Sequence, residues 1–224
     1  INKKHLGLEL GIEAQITATF KLKGAFALGE HTYDNNPLLY LTTEADTASQ
    51  AAGFENGFKD FGEVYLSNYK LAVGPQKASS FGFEYRDPSY WWVGATLNFF
   101  ENSFIDISPL NRSRNFYTDN DGLPFLDYDT EIARDLLKQE KFDAYSIVNL
   151  VGGKSYKIDK YYISVFATVN NVLNKRYKSG GFEQGRNANY NQLLEDKSLD
   201  KPIFGNKYWH GRGATYFMNI NLSF

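Results

Sequence analysis

The sequence contains no cysteine, one methionine and only three histidines in 224 residues. The absence of cysteine excludes a disulfide framework and any thiolate metal site, and it leaves the compartment open. No stretch approaches the roughly 18 consecutive apolar residues that a spanning helix needs, which excludes a helical membrane protein. A spanning barrel is not excluded. Its lipid face takes every second residue, so a mean hydropathy of -0.45 is compatible with full insertion. A basic field is also missing: the net charge is -2 and the lysines and arginines are scattered, so nucleic acid is not expected as a partner. His5, His31 and His210 lie far apart in the chain and lack the spacing of a metal-binding pair or a nucleophile–base arrangement. Neither catalysis nor a metal or other cofactor is expected from them.

What is abundant is aromatic residues, with Tyr 16, Phe 18 and Trp 3, and an alternation of apolar and polar positions. In Leu6–Glu13 every even position is aliphatic and every odd one is Gly or Glu, the pattern of a strand with two unlike faces. The same period predicts strands over 20–33 (Leu22, Phe26 and Leu28 on one side), 79–86 (Phe81, Phe83, Tyr85) and from Trp91 onward (Trp91, Val93, Ala95, Leu97, Phe99). Further strands are expected over 142–157, whose faces are ambiguous, over 161–177, where Phe166 falls on the polar side, and over 216–224. Short links at 15–19, 87–89 and 158–160 alternate with long polar stretches at 34–78, 103–141 and 178–206. Long loops argue against a compact soluble domain but are what an outer-membrane barrel carries on one rim. Within them, Glu63–Tyr69 reads as strand-like, and Thr130–Lys141 reads as a helix capped by Asp129 with Ile132 and Leu136 on one face.

Aromatics gather at strand ends, as in Tyr90-Trp91-Trp92, Tyr161-Tyr162 and Tyr208-Trp209, where rings suit a membrane interface. The expected fold is therefore all-β: an antiparallel transmembrane barrel segment of about seven strands with long extracellular loops and one short helix. Seven strands cannot close in lipid without leaving open edges, so further strands are expected upstream. The chain begins at Ile1 with neither an initiator methionine nor a signal-like segment, which fits a part of a longer protein.

The last residues, with Tyr216, Met218, Ile220, Leu222 and Phe224 on one face and an aromatic at the end, resemble the C-terminal signal of outer-membrane barrel proteins. That resemblance implies recognition by the barrel-assembly machinery. Upstream, Val169-Asn170-Asn171-Val172-Leu173-Asn174-Lys175-Arg176-Tyr177 resembles the penultimate-strand motif of TonB-dependent receptors, with Asn174 where Asp is common and Leu173 where Phe is common. Gly211-Arg212-Gly213 resembles the Gly-Arg lead into that family's last strand. Gly11-Ile12-Glu13, the region of Pro75 and Tyr90-Trp91-Trp92-Val93-Gly94 fit the same family, and Asp135–Phe142 resembles receptors of Bacteroidetes-type bacteria. The resemblance spans nearly the whole chain. It implies residues 1–224 as the C-terminal portion of a 22-stranded barrel that imports a siderophore, metal complex, carbohydrate or peptide. It further implies outer-membrane lipid, the remainder of the barrel with its plug and a surface lipoprotein as partners, and the TonB complex as one reached through a part of the protein N-terminal to Ile1.

Tyr65, Tyr69, Arg112, Arg114, Tyr117 and Tyr190 fall on the expected extracellular loops and are candidates for contacting cargo. Asp119-Asn120-Asp121-Gly122 suggests a calcium loop, but Tyr117 and Tyr128 stand where the first and twelfth ligands belong, so a solvated turn is expected. Asp46-Thr47-Ala48 resembles a short O-glycosylation signal of some Bacteroidetes. Two alternatives to a transport barrel remain open: a soluble β-sandwich carbohydrate-binding module and a small outer-membrane barrel enzyme.

Overall fold

The computed structural model describes residues 1–44, 54–55, 57–119, 121–184 and 188–224. The segment Asp46-Thr47-Ala48 and Asn120 lie outside the described residues. Among the described residues eleven strands run in chain order: β1 (Lys3–Gln15), β2 (Phe20–Tyr33), β3 (Leu38–Thr42), β4 (Phe58–Glu63), β5 (Lys77–Arg86), β6 (Trp91–Glu101), β7 (Tyr145–Ile158), β8 (Tyr161–Asn170), β9 (Lys178–Phe182), β10 (Lys207–His210) and β11 (Thr215–Ser223). Among the described residues, α-helices α1 (Thr130–Leu136) and α2 (Tyr190–Lys197) sit in the second and third long connections.

Seven of the strands form one antiparallel sheet in the order β1-β2-β5-β6-β7-β8-β11. Each is paired to its neighbour in the meander, and β1 and β11 each keep one open edge. The three tight turns therefore fall on one rim and all three long connections on the other.

Register fixes the two faces. One cross-strand row reads Ala14, Leu22, Phe83, Ala95, Leu150, Val169 and Tyr216, and the next reads Phe20, Tyr85, Val93, Gly152, Ala167 and Met218. This apolar face is bare along its length: Leu8, Leu97 and Ile220 are exposed, and among the described residues no element packs over them. The opposite face carries Glu13, Lys21, Lys23, Glu84 and Arg86, joined by ion pairs Lys21–Glu13 (2.6 Å) and Lys23–Glu84 (3.2 Å) and by Arg86 on Glu84. Pairing of Val148 with Leu97 and of Leu150 with Ala95 places these two β7 residues on the apolar face, which the sequence left undecided. Phe166 stands on the polar face because it packs between Trp92 and Phe217. Gly153, beside them, has no room for a side chain: a Cβ would lie 2.9 Å from the Trp92 Nε1.

Every buried hydrophobic side chain among the described residues belongs to the long connections. Val64, Leu66 and Ile107 form one cluster with Tyr33, Leu39 and Tyr69 against it, tying the first connection to the second. Phe116, Ala133 and Tyr190 form another, tying the second to the third.

Several expected elements differ. The strands in the first connection are Leu38–Thr42 and Phe58–Glu63, not Glu63–Tyr69, because Val64 and Leu66 turn inward to the small core and Asn68 adopts φ 71. The helix at Thr130 ends at Leu136 rather than Lys141, since Gln139 turns away to bond Lys70 and Ile105. Asp129 caps it as expected, accepting from the amides of Glu131 and Ile132. The second helix, α2, was not foreseen as a complement to the single helix expected; its capping box joins Asn189 and Gln192. The strand from Tyr161 stops at Asn170, because Asn171 and Asn174 both take φ 50. Asn171 is buried and accepts from the Lys175 amide while donating to the carbonyls of Lys175 and Arg212.

Candidate functional site

The long connections converge into one folded cap. Its centre is Arg112, 4% exposed, whose Nη2 donates to Oε1 of Glu183 at 2.8 Å and whose Nη1 donates to the other oxygen of that carboxylate. The same guanidinium donates to the carbonyls of Ser108 and Leu137 and lies 4.5 Å over the Tyr69 ring. Arg112 thus holds the second and third connections together and is neutralised where it sits.

A groove of about 410 Å³ opens beside this pair, lined by Tyr65, Tyr69, Tyr117 and Tyr128 with Asn36, Ser67, Asn111, Arg112, Ser113, Phe116 and Leu137. Four of the six cargo-contact candidates, Tyr65, Tyr69, Arg112 and Tyr117, meet there. The other two do not. Arg114 bonds the Gly122 carbonyl at 3.0 Å and closes a surface turn, and Tyr190 is 1% exposed, packed edge-on against Phe116 and Tyr128. Tyr128, which the sequence offered only as a misfit in a calcium loop, joins the groove; burial and the neighbouring Tyr117 and Tyr190 raise its phenol above the ordinary value. Asn111, 3% exposed, lines the groove with an Oδ1 that has no hydrogen-bond partner among the described residues. Asp119, of the acidic loop, accepts from the amides of Asp121 and Leu123, which makes a turn rather than a ligand set.

A second concavity of about 680 Å³ lies where the two resembling motifs meet, lined by Tyr145, Asn174, Lys175, Arg176, Tyr177, His210 and Gly211 among others. Tyr145 and Tyr177 stack there at 4.0 Å. Asn174 accepts from the Ala214 amide at 3.0 Å, a bond that an aspartate could also accept. Nearby, Lys178 pairs with Glu140 at 2.7 Å and sits 3.6 Å over the Tyr208 ring. Burial alone would raise the Glu140 carboxyl, but bonds from Lys178, Tyr208 and Asn206 outweigh it and hold the group below its ordinary value. Burial would lower Lys178, yet the bond and charge of Glu140 together with Tyr208 outweigh it and raise the ammonium.

The terminal residues Tyr216, Met218, Ile220, Leu222 and Phe224 are all exposed on the apolar side, with Phe224 at 92%. Among the described residues no group of three or more metal-ligating side chains occurs. The histidines are not all apart, however. His5 and His31 are directly opposite across β1 and β2, with Nδ1 atoms 3.1 Å from each other.

No protein-family model matches the chain, and no curated protein matches it. Among solved structures, it is similar to the siderophore receptor PiuA from Acinetobacter baumannii, with a TM-score of 0.52 at 13% identity over 98% of this chain. The match spans only 22% of that receptor. The copper transporter OprC aligns over 99% of this chain and 24% of its own length, with a TM-score of 0.48 and 17% identity. At 13% identity the first likeness shows the fold: a mostly antiparallel sheet of the type found in part of that receptor's chain.

Proposed function

We propose that this chain is the C-terminal portion of the barrel of a TonB-dependent outer-membrane receptor, Bacteroidetes-type in its loop sequences, that actively imports a nutrient. The observation that carries the reading is the sheet's inversion: a wide apolar face left bare, a charged and polar face opposite, tight turns on one rim and folded loops on the other. Open backbone edges are not tolerated in hydrocarbon, so β1 and β11 pair with further strands of a 22-stranded barrel. In that setting the loop cap faces the outside, and its tyrosine-lined groove is where cargo first rests. A plug and the TonB complex supply the energy-coupled opening, and a surface lipoprotein can close over the loops. The exposed terminal face of β11 is the element that the barrel-assembly machinery reads.

The test uses the source bacterium. The full-length protein should fractionate with the outer membrane, and its deletion should remove growth on one limiting nutrient as completely as loss of TonB does. Phe224→Lys should lower its surface level severalfold. Detergent-free expression that gives a soluble, monodisperse product would defeat the reading and favour the carbohydrate-binding module. Wild-type surface levels of Phe224→Lys would remove the assembly argument.

A further inference from the structure

We propose that His5 and His31 form a two-histidine chelating site for a divalent transition-metal ion on the polar face of the sheet, at the rim that carries the long connections. The site stands independently of the import reading.

Positions 5 and 31 share a face with Glu9, Gly11 and Glu13, because side chains alternate along β1. The two rings are tilted, with centroids 4.9 Å apart, and bring their Nδ1 atoms to 3.1 Å. Metal–imidazole bonds are about 2.0–2.1 Å, so this spacing corresponds to an N–metal–N angle of roughly 100°, between square-planar and tetrahedral geometry. In the metal-free protein one Nδ1–H donates to the other nitrogen. A metal takes a lone pair from each Nδ1, and the donating ring's proton shifts to its own Nε2, so both imidazoles stay neutral. Imidazole suits Cu2+, Zn2+ and Ni2+, and Cu2+ is bound most tightly of these.

The surroundings accommodate the pair. Gly7 and Gly29 face each other in the next row on the same side, so no side chain stands beneath the rings. A Cβ at Gly29 would lie 2.7 Å from Nε2 of His31 and would displace that ring. The His31 carbonyl accepts from the Leu71 amide (2.9 Å) and from Nε2 of Gln76 (3.0 Å), which fixes its backbone. Among the described residues no carboxylate pairs with either ring. Two protein ligands leave coordination positions for water or for donor atoms on a metal-bearing molecule.

The test titrates Cu2+ into the full-length, untagged protein in detergent micelles, by calorimetry and by electron paramagnetic resonance. Wild type should bind one more equivalent than His5→Gln or His31→Gln, with nitrogen superhyperfine structure from two imidazoles. Each single variant, left with one imidazole, should bind that equivalent about a hundredfold more weakly, and the double variant should lose it, because chelation requires both rings. His210→Gln should bind as wild type. Gly29→Ala, which keeps both ligands and displaces one ring, should weaken binding, and heat-resistant migration on gels checks that each variant is folded. Unchanged Cu2+ binding in a folded His5→Gln or His31→Gln protein, or a one-nitrogen signal in wild type, would overturn the site; full affinity in Gly29→Ala would overturn its geometry.

Discussion

The sheet and the loop cap obey opposite rules of burial. In the cap, Val64, Leu66, Ile105, Phe116 and Tyr190 are at most 2% exposed and the charged Arg112 is enclosed with its partner. In the seven-stranded sheet, Leu8, Leu97, Met218 and Ile220 are all bare. Under the membrane reading proposed above, the two arrangements face different solvents. The cap is built as a water-soluble protein is, by burying apolar surface, whereas the sheet satisfies its backbone between strands and turns its apolar side chains outward, as hydrocarbon allows.

Mutations can break or sharpen that contrast. The largest effect belongs to the cap: Arg112→Ala leaves Glu183 enclosed without a counter-charge and should cost about 3–5 kcal/mol locally. Hydrogen exchange of the full-length protein should then rise across 105–112 and 179–183 but not in β5 and β6; an unchanged profile would mean the pair does not hold the cap. On the sheet, Leu97→Lys places a charge on the outward face and should destabilise by ~2–4 kcal/mol in vesicle unfolding, while Thr96→Lys, on the polar face, should cost well below that. Equal penalties would reverse the face assignment. Between the two regions, Asn171→Ala removes the side chain that ties the end of β8 to Lys175 and Arg212, and about 1–3 kcal/mol should be lost. Proteolysis between residues 171 and 177 reads it.

The smallest effect is in pH. Glu140 is held below its ordinary value of 4.5, so its share of docking β9 and β10 is complete above that value and is lost as pH falls through the lowered one. Lys178 is raised above 10.5, so its share is complete below that value and is lost as pH rises further. Exchange at 178–182 should quicken in acid after correction for intrinsic rates, and Glu140→Gln should abolish that dependence.

The resemblance of 169–177 and 211–213 to receptor motifs pointed to the fold but did not say what the residues do. The structure assigns them work: Asn171 and Asn174 take left-handed backbone and staple the turn after β8 to the lead into β11. Of the cargo-contact candidates, the sequence could group Tyr65 with Tyr69, but Tyr128 joins them only through the packing of the second connection.

By itself, the sequence determined the strands of the sheet, the faces of all but β7 and the rims on which turns and loops fall, because side-chain alternation and turn chemistry are properties of a few consecutive residues. It could not determine contacts whose partners are distant in the chain. Arg112 meets Glu183 across 71 positions, and His5 meets His31 across 26, through a register set by the whole hairpin. Such contacts depend on long-range closure, and only the tertiary structure decided them.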